Sequence, residues 1–81
     1  MENLLKELAE IIAPIAECEI ADVQPDVDLP NDLDVDSLRG LEIMVMIQRK
    51  YKVKLSEERL PEMTTPRSIA KMITEQLELL S

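Results

Sequence analysis

The segment that decides the fold is residues 37–51, SLRGLEIMVMIQRKY, which directly follows Asp36. Its apolar residues lie at spacings that an α-helix brings together, so the segment predicts a helix that begins at Ser37. A helix with apolar residues on more than one face either lies at the centre of a core or buries one face only when a partner or ligand binds. We favour the central position.

The N-terminal segment predicts a second amphipathic helix and then a long connection. Apolar residues recur every three or four positions between residues 4 and 15. Asn3 is a candidate cap, and Pro14 should end or kink the helix between residues 13 and 17, because proline lacks the backbone donor that a helix interior needs. Residues 17–36 hold eight acids and no Lys or Arg, and connections of this length are usually functional or mobile. Four spaced apolar residues predict that the connection packs on the helices: Val23, Val27, Leu29 and Leu33.

The C-terminal segment predicts a short helix and then a third main helix. Ser56 is a candidate cap for the short helix, which should stop near Pro61. Thr65 followed by Pro66 is a helix start signal, since a capping hydroxyl precedes a proline at the first helical position. With 81 residues, one glycine and a single aromatic residue, the chain predicts one all-α domain over residues 1–81. Its fold would contain three main helices, one short helix and a long loop after the first helix.

Composition excludes several kinds of site. The chain has no histidine and a single cysteine, Cys18, so it lacks a zinc-ligand set and cannot form an internal disulfide. Its N-terminus carries an acid where a signal peptide carries bases, and no apolar run approaches the ~20 residues that span a bilayer. Neither Asp26 nor Asp32 opens a loop with the glycine and glutamate of an EF-hand. We therefore expect a cytoplasmic protein with no metal site and no membrane insertion.

The net charge of −8 is concentrated in the N-terminal half, where residues 1–36 hold 11 acids and one base. Acidic surface argues against nucleic acid and anionic membranes as partners, because both need basic surface. It suits proteins with basic docking patches, where charge mainly steers the encounter. The basic residues near the end of the helix 37–51 have a simpler explanation, since cations are favoured at a helix C-terminus: Arg49, Lys50, Lys52 and Lys54.

Ser37 is the candidate functional residue. It would hold its hydroxyl in water at a helix start, yet without histidine the chain has no usual general base to activate that hydroxyl. Gly40 is the only glycine, so there is no glycine-rich loop to cradle a phosphate. From the residues alone, Ser37 is either a helix cap or a hydroxyl on which another enzyme acts. We expect that the chain is not itself an enzyme.

Several segments between residues 29 and 66, together with the length, acidity and helix order of the whole chain, resemble the acyl carrier protein family. They are the string DLDVDSL at residues 32–38, Glu42 in the helix that follows, Leu29, Tyr51 and Thr64-Thr65-Pro66. The resemblance implies a four-helix bundle of acyl-carrier type in which Ser37 is esterified by 4′-phosphopantetheine, donated from coenzyme A by a phosphopantetheinyl transferase. The thiol of that arm would carry acyl groups as thioesters, in fatty-acid or a specialised lipid or polyketide-type biosynthesis. Asp36 would help to hold the Mg²⁺ of the transferase during transfer.

The resemblance also implies two sets of contact residues. The transferase and the acyl-loading and condensing enzymes would bind a monomeric carrier at the start of the helix 37–51. The residues implied to form this partner-binding surface are Leu38, Arg39, Leu41 and Glu42. The residues implied to line a cleft for the acyl chain are Met44, Val45, Ile47 and Ile69. Flexible methionine would let such a cleft open without leaving a permanent cavity.

Three positions depart from the usual pattern of the family. Asp34 stands where members usually carry glycine, and Arg39, followed by Gly40, stands where carriers of fatty-acid synthesis are often acidic. These departures point to a specialised carrier. Two alternatives stay open. An aminoacyl or peptidyl carrier would more often have paired glycines before the modified serine, and an unmodified helical adaptor would have no reason to keep the Asp-Ser-Leu string at residues 36–38.

Overall fold

The computed structural model describes residues 2–80 and confirms the predicted all-α fold. Its elements are α1 Glu2–Ala16, the 3₁₀ turn Ile20–Asp22, α2 Leu29–Asp32, α3 Ser37–Tyr51, the 3₁₀ helix Glu57–Glu62 and α4 Pro66–Leu80. The three main helices and the long connection after α1 lie where the sequence predicts them. The short helix near residue 60 is 3₁₀ rather than α, and the sequence did not predict the two helical pieces within the connection. Within residues 2–80, each helix is too short or too polar to cross a membrane.

α1 ends at Ala16, inside the interval in which the sequence predicts a break, although the helix continues past Pro14. Glu17 then takes a left-handed conformation with φ 58°. The N–H of Cys18 donates to the carbonyl of Ala13 at 3.0 Å, and the N–H of Glu17 donates to the carbonyl of Pro14 at 3.3 Å. This pair of hydrogen bonds is a Schellman motif, which satisfies carbonyl groups left free at the end of a helix.

Side-chain caps mark the starts of the later elements. The Ser56 hydroxyl accepts a hydrogen bond from the N–H of Glu58 at 3.2 Å, and Thr65 Oγ1 accepts one from the N–H of Ser68 at 3.1 Å. Ser68 Oγ in turn accepts from the N–H of Thr65 at 3.2 Å, which makes the cap reciprocal. The predicted caps Ser56 and Thr65 are confirmed. The predicted cap Asn3 is wrong, because α1 already includes it in its first turn.

α3 buries one face and exposes the other. Ile43, Met44 and Ile47 are at most 2% exposed and belong to the core that α3 shares with α1 and α4. Leu38 on the other side is 67% exposed and Val45 is 46% exposed. The expected central position of α3 is therefore wrong, because the other elements cover only one of its faces. The second interpretation, a helix with a free apolar face, describes the structure.

The long connection is joined to the start of α4 by hydrogen bonds and an ion pair. The N–H of Leu29 donates to the carbonyl of Thr64 at 2.8 Å, and the N–H of Arg67 donates to the carbonyl of Pro25 at 2.9 Å. The Arg67 guanidinium also binds both carboxylate oxygens of Asp26, at 2.8 and 3.2 Å, and this hydrogen bonding lowers the pKa of Asp26. The prediction that the connection packs on the bundle is confirmed by four residues that are buried or partly buried: Val23, Val27, Leu29 and Leu33.

The end of α3 is joined to α1 through Tyr51. The Tyr51 hydroxyl donates to Glu7 Oε1 at 3.1 Å, and Lys50 Nζ lies 3.4 Å from the same oxygen. Burial, followed by the hydrogen bond and the negative charge of Glu7, raises the pKa of Tyr51 to about 12. The neutral hydroxyl therefore stabilises the folded state, and this contribution is lost as the pH rises from about 10, the ordinary pKa of tyrosine, towards 12.

Replacing Tyr51→Phe removes the hydrogen bond to Glu7 and should lower the free energy of unfolding at neutral pH by roughly 0.5–1.5 kcal/mol. Between pH 10 and about 12, the stability of the wild type should fall more steeply than that of Tyr51→Phe, because only the wild type loses the neutral phenol. Urea unfolding across this pH range measures both slopes, and lysine titration affects the two proteins alike. Parallel slopes would show that the hydroxyl of Tyr51 does not stabilise the fold.

Candidate functional site

Ser37 is the first residue of α3, and Asp36 is the cap of that helix. Asp36 has an extended backbone, and its Oδ1 accepts a hydrogen bond from the N–H of Arg39 at 2.9 Å. The carbonyl of Asp36 accepts the first intrahelical hydrogen bond, from the N–H of Gly40 at 2.8 Å. The interpretation of Ser37 as a helix cap is therefore wrong. Asp36 holds that position, and the helix start does not use the hydroxyl of Ser37.

The Ser37 side chain is exposed, and within residues 2–80 its hydroxyl makes no hydrogen bond. The donors of Arg39 and Gly40 are occupied, so the N–H groups of Ser37 and Leu38 are the ones that point outward from the helix start. These two donors and the positive end of the helix dipole fit a phosphodiester joined to the hydroxyl. The hydroxyl of Ser37 is therefore accessible from solvent at the start of α3.

Asp34 has a left-handed backbone, with φ 53°. Glycine is the default residue in this conformation, and aspartate tolerates it better than most other residues. After this turn, Val35 is buried and its N–H donates to the carbonyl of Leu29 at 3.0 Å. The chain thus keeps, with an aspartate, the backbone path for which glycine is best suited. The chain therefore turns at Asp34, three residues before Ser37, in a conformation that glycine would adopt more easily.

A groove of about 450 Å³ opens beside Ser37, next to the 3₁₀ helix 57–62. In this groove, which we call the Ser37 groove, Asp36, Ser37 and Thr64 lie beside the backbone of Gly40 and a set of apolar residues. The apolar residues are Pro30, Val35, Leu60, Pro61 and Met63. The sequence analysis did not find these walls, because they come from three separate segments that only the fold brings together.

A second groove, of about 390 Å³, lies between α3 and the end of α1. This Leu38 groove is lined by Ile15, Leu38, Leu41, Glu42, Val45 and Met46. It brings together three of the four residues predicted to bind partners. The fourth, Arg39, forms an ion pair at 3.6 Å with Glu17, just beyond the end of α1. The sequence could have shown that Val45 also belongs to this surface, because positions 38, 42 and 45 lie on one face of a helix.

The four predicted cleft residues do not lie together. Met44, Ile47 and Ile69 are at most 2% exposed and are packed in the core. Val45 requires a correction, because it lies on the exposed face of α3 and lines the Leu38 groove. A cleft between the other three would open only by displacing close-packed core side chains.

Within the residues that the structure describes, the other titratable groups do not form a candidate metal site. Among residues 2–80, no group of three or more acidic or cysteine side chains is placed to hold a metal ion. Burial, then the charges of Asp22 and Glu19, raise the pKa of the Cys18 thiol. Less of this cysteine is therefore in the reactive thiolate form at neutral pH than of an ordinary cysteine.

Comparison with known proteins gives consistent matches over most of the chain. Residues 6–73 match a family described as the phosphopantetheine attachment site. The chain is 36% identical to polyketide-8 synthase acyl carrier protein 2 of Streptomyces avermitilis, over 89% of this chain and 83% of that protein. It is also 36% identical to an acyl carrier protein of Thermobifida fusca, over 89% and 91%. The meromycolate extension acyl carrier protein of Mycolicibacterium smegmatis is 39% identical, over 79% and 65%.

Replacing Asp36→Ala should lower the free energy of unfolding by about 0.5–2 kcal/mol, because the N–H of Arg39 loses its acceptor. Asp36→Asn is the matched control, since asparagine caps a helix about as well as aspartate. Its stability should stay within a few tenths of a kcal/mol of the wild type. Urea unfolding measures both variants. Equal losses in the two would mean that the charge of Asp36, rather than its capping hydrogen bond, stabilises the helix start.

Proposed function

Because the chain belongs to the acyl carrier protein family, we propose that it carries acyl intermediates as thioesters on a 4′-phosphopantetheine arm esterified to Ser37. The family match supports the carrier role and the cofactor. One observation supports Ser37 as the attachment residue: within the matched residues 6–73, it holds an exposed hydroxyl, without a hydrogen bond to any of residues 2–80, at a helix start. When bound, the arm supplies the thiol that forms the thioester.

The residues around Ser37 would have different roles in the attachment of the arm. Ser37 Oγ forms a bond to phosphorus and loses its proton, while the pyrophosphate bond of coenzyme A breaks and adenosine 3′,5′-bisphosphate leaves. The outward N–H groups of Ser37 and Leu38 stabilise the negative charge of the resulting phosphodiester. Asp36 opposes that charge by repulsion, but it fixes the helix start and would hold the Mg²⁺ of the transferase during transfer.

The exposed face of α3 is the surface on which we expect the transferase and the acyl-loading and condensing enzymes to dock. Leu38, Val45 and Met46 are each at least 45% exposed, and contiguous apolar side chains of this kind are typical of interaction sites. Glu42 lies among them and supplies one negative charge. We further propose that residues 1–81 form a single cytoplasmic carrier domain that acts as a monomer and has no catalytic activity of its own.

A specialised lipid or polyketide-type pathway is the setting that we propose. Similar proteins include a polyketide synthase acyl carrier protein and a meromycolate extension acyl carrier protein. Arg39 reverses the charge that carriers of fatty-acid synthesis often have at this position, and its ion pair neutralises Glu17 as well. This end of the docking face is therefore less acidic than a partner with a basic patch would need.

The attachment is tested by intact mass after incubation with coenzyme A, Mg²⁺ and a broad-specificity phosphopantetheinyl transferase. The wild type should gain one phosphopantetheine, and Ser37→Ala should gain none. Asp36→Asn keeps the cap but removes the charge, so it should be modified more slowly than the wild type at equal stability. No addition to the wild type by an active transferase would overturn the proposal and favour an unmodified adaptor. Addition to Ser37→Ala would move the attachment to another residue.

Replacing Arg39→Asp should increase the turnover of the loaded carrier by a housekeeping ketosynthase that docks through a basic patch. The substitution adds a negative charge and releases Glu17 from its ion pair, so encounter with the ketosynthase should become faster. The gain should shrink at high salt, because screening weakens charge steering. Arg49→Asp is the matched control at the far end of α3 and should change turnover less. Unchanged or slower turnover with Arg39→Asp would contradict the assignment to a specialised pathway.

A further inference from the structure

The last turn of α3 and the segment that follows it carry a cluster of exposed basic residues, which we call the basic end. Its members are Arg49, Lys50, Lys52 and Lys54. The sequence contains no acid between residues 43 and 56. Lys50 forms an ion pair at 3.4 Å with Glu7. The other three members form no ion pair within residues 2–80, so their positive charges are available to a partner.

The backbone after α3 holds the two lysines of this segment in place. Lys52 takes a left-handed conformation with φ 54°, which turns the chain at the end of α3. The N–H of Leu55 then donates to Gln48 Oε1 at 3.0 Å, so the segment runs back along the last turn of the helix. Val53 and Leu55 are buried, at 4% and 7% exposure. Because exposed and buried side chains alternate here, Lys52 and Lys54 both face solvent beside that turn.

The helix dipole does not account for the whole basic end. The dipole favours cations within the last turn, so it explains Arg49 and Lys50 but not Lys54, which lies beyond the end of α3. Glycine and asparagine are the usual residues in the left-handed conformation at a helix end, yet position 52 holds a lysine. Residues that oppose the local backbone preference in this way concentrate at functional sites.

The charges of the chain are separated along α3. The long connection, with its eight acids, leads directly to the start of this helix. The basic end lies at the other end of its 15 residues, a distance of about 22 Å along an α-helix. Screening reduces charge interactions beyond about 8 Å at physiological ionic strength. An anionic group at the basic end is therefore attracted by the cations beside it more than it is repelled by the distant acids.

A short acidic segment of a protein fits this distribution of charge. Several neighbouring cations would bind several carboxylates at once, and the acidic connection would orient the encounter so that the basic end meets the segment first. A nucleic acid or an anionic membrane extends much further than the basic end. Either would also meet the acidic surface of a chain whose net charge is −8.

We infer that the basic end of α3 is a second docking surface, which binds a carboxylate-rich segment of a partner protein and tethers the carrier to that partner. Ser37 lies at the opposite end of α3, so a segment bound here leaves the hydroxyl and its arm free to reach other enzymes. Binding at this surface does not depend on modification of Ser37. The tethering of a loaded carrier rests on the proposed attachment of the arm.

The test titrates the isotope-labelled full chain with a synthetic peptide of ten glutamates and follows the backbone amide signals by NMR. The signals of Arg49, Lys52 and Lys54 should shift saturably, and those of Ser37 and Leu38 should stay in place. The Kd should rise with salt, because exposed charges are screened. A peptide of ten glutamines is the uncharged control and should cause no shift. The unmodified and phosphopantetheine forms should give the same Kd.

Substitutions separate the basic end from the overall charge of the chain. Lys54→Glu should weaken binding of the glutamate peptide roughly tenfold, because one exposed ion pair is lost and one repulsion is gained. Lys71→Glu is the matched control, since this exposed lysine of α4 forms no ion pair within residues 2–80 and the net charge changes equally. Its Kd should change less than about twofold. Lys52→Asn removes a cation but tolerates the left-handed turn, so it should weaken binding roughly threefold without lowering the midpoint of urea unfolding.

Three results would overturn the inference. Equal weakening by Lys54→Glu and Lys71→Glu would show that the peptide responds only to net charge. Absence of saturable shifts at Arg49, Lys52 and Lys54 would show that the basic end is not a docking surface. Vesicles of phosphatidylcholine and phosphatidylserine that shift these signals when the peptide does not would assign the basic end to a membrane instead.

Failure of the proposed function gives a different result. If the intact-mass assay shows no modification of Ser37, the carrier role and the tethering of a loaded carrier are both overturned. The titration of the unmodified chain still decides whether the basic end binds an acidic segment, because that measurement does not use the arm.

Discussion

The hydrogen bond from the N–H of Arg39 to the carboxylate of Asp36 is the constraint on which the rest of the site depends. It fixes where α3 begins, and therefore makes Ser37 the first helical residue and leaves its hydroxyl unused by the helix start. The rotation of α3 about its axis is set by the burial of its apolar face in the core. Ile43 and Ile47 then face the core, and Leu38 and Val45 face outward. The cap thus positions Ser37, the proposed attachment residue, and core packing orients the exposed face beside it.

The sequence predicted well those structural features that depend on local interactions. The start of α3 at Ser37 and the cap at Thr65 depend on hydrogen bonds within a few residues, so they could be found without knowing the tertiary structure. The position of α3 depends on which neighbours cover it, and periodicity carries no such information. The expected central position was therefore wrong, and Val45 was placed on the wrong side. The walls of the Ser37 groove were missed for the same reason, since Val35 and Leu60 are distant in sequence and meet only through packing.

At the candidate site as well, the sequence predicted local features but not those that depend on tertiary packing. The position of Ser37 at a helix start was predictable from the sequence, because the Asp-Ser-Leu string directly precedes an apolar helical pattern, whereas the attachment of the arm to Ser37 stays a prediction. The shape of the site was not predictable. Three of the predicted docking residues meet in one groove, but the pairing of Arg39 with Glu17 depends on how the end of α1 packs beside α3, which the sequence did not predict. The left-handed conformation of Glu17, which turns the chain there, was not predicted either, because left-handed residues are usually glycine.

Asp34 and Gly40 reverse the usual relation between residue type and backbone around Ser37. Asp34 takes the left-handed conformation in which glycine is favoured, whereas Gly40 stands in a regular helix, where glycine destabilises by about 1 kcal/mol relative to alanine. Neither choice is the one that stability alone would select. Departures of this kind concentrate at functional sites, where another requirement outweighs local preference. At Gly40 that requirement is the close packing of Leu60, because a Cβ atom at position 40 would lie 3.3 Å from Leu60 Cδ1. The residue that weakens the helix locally therefore also leaves space in the groove beside Ser37.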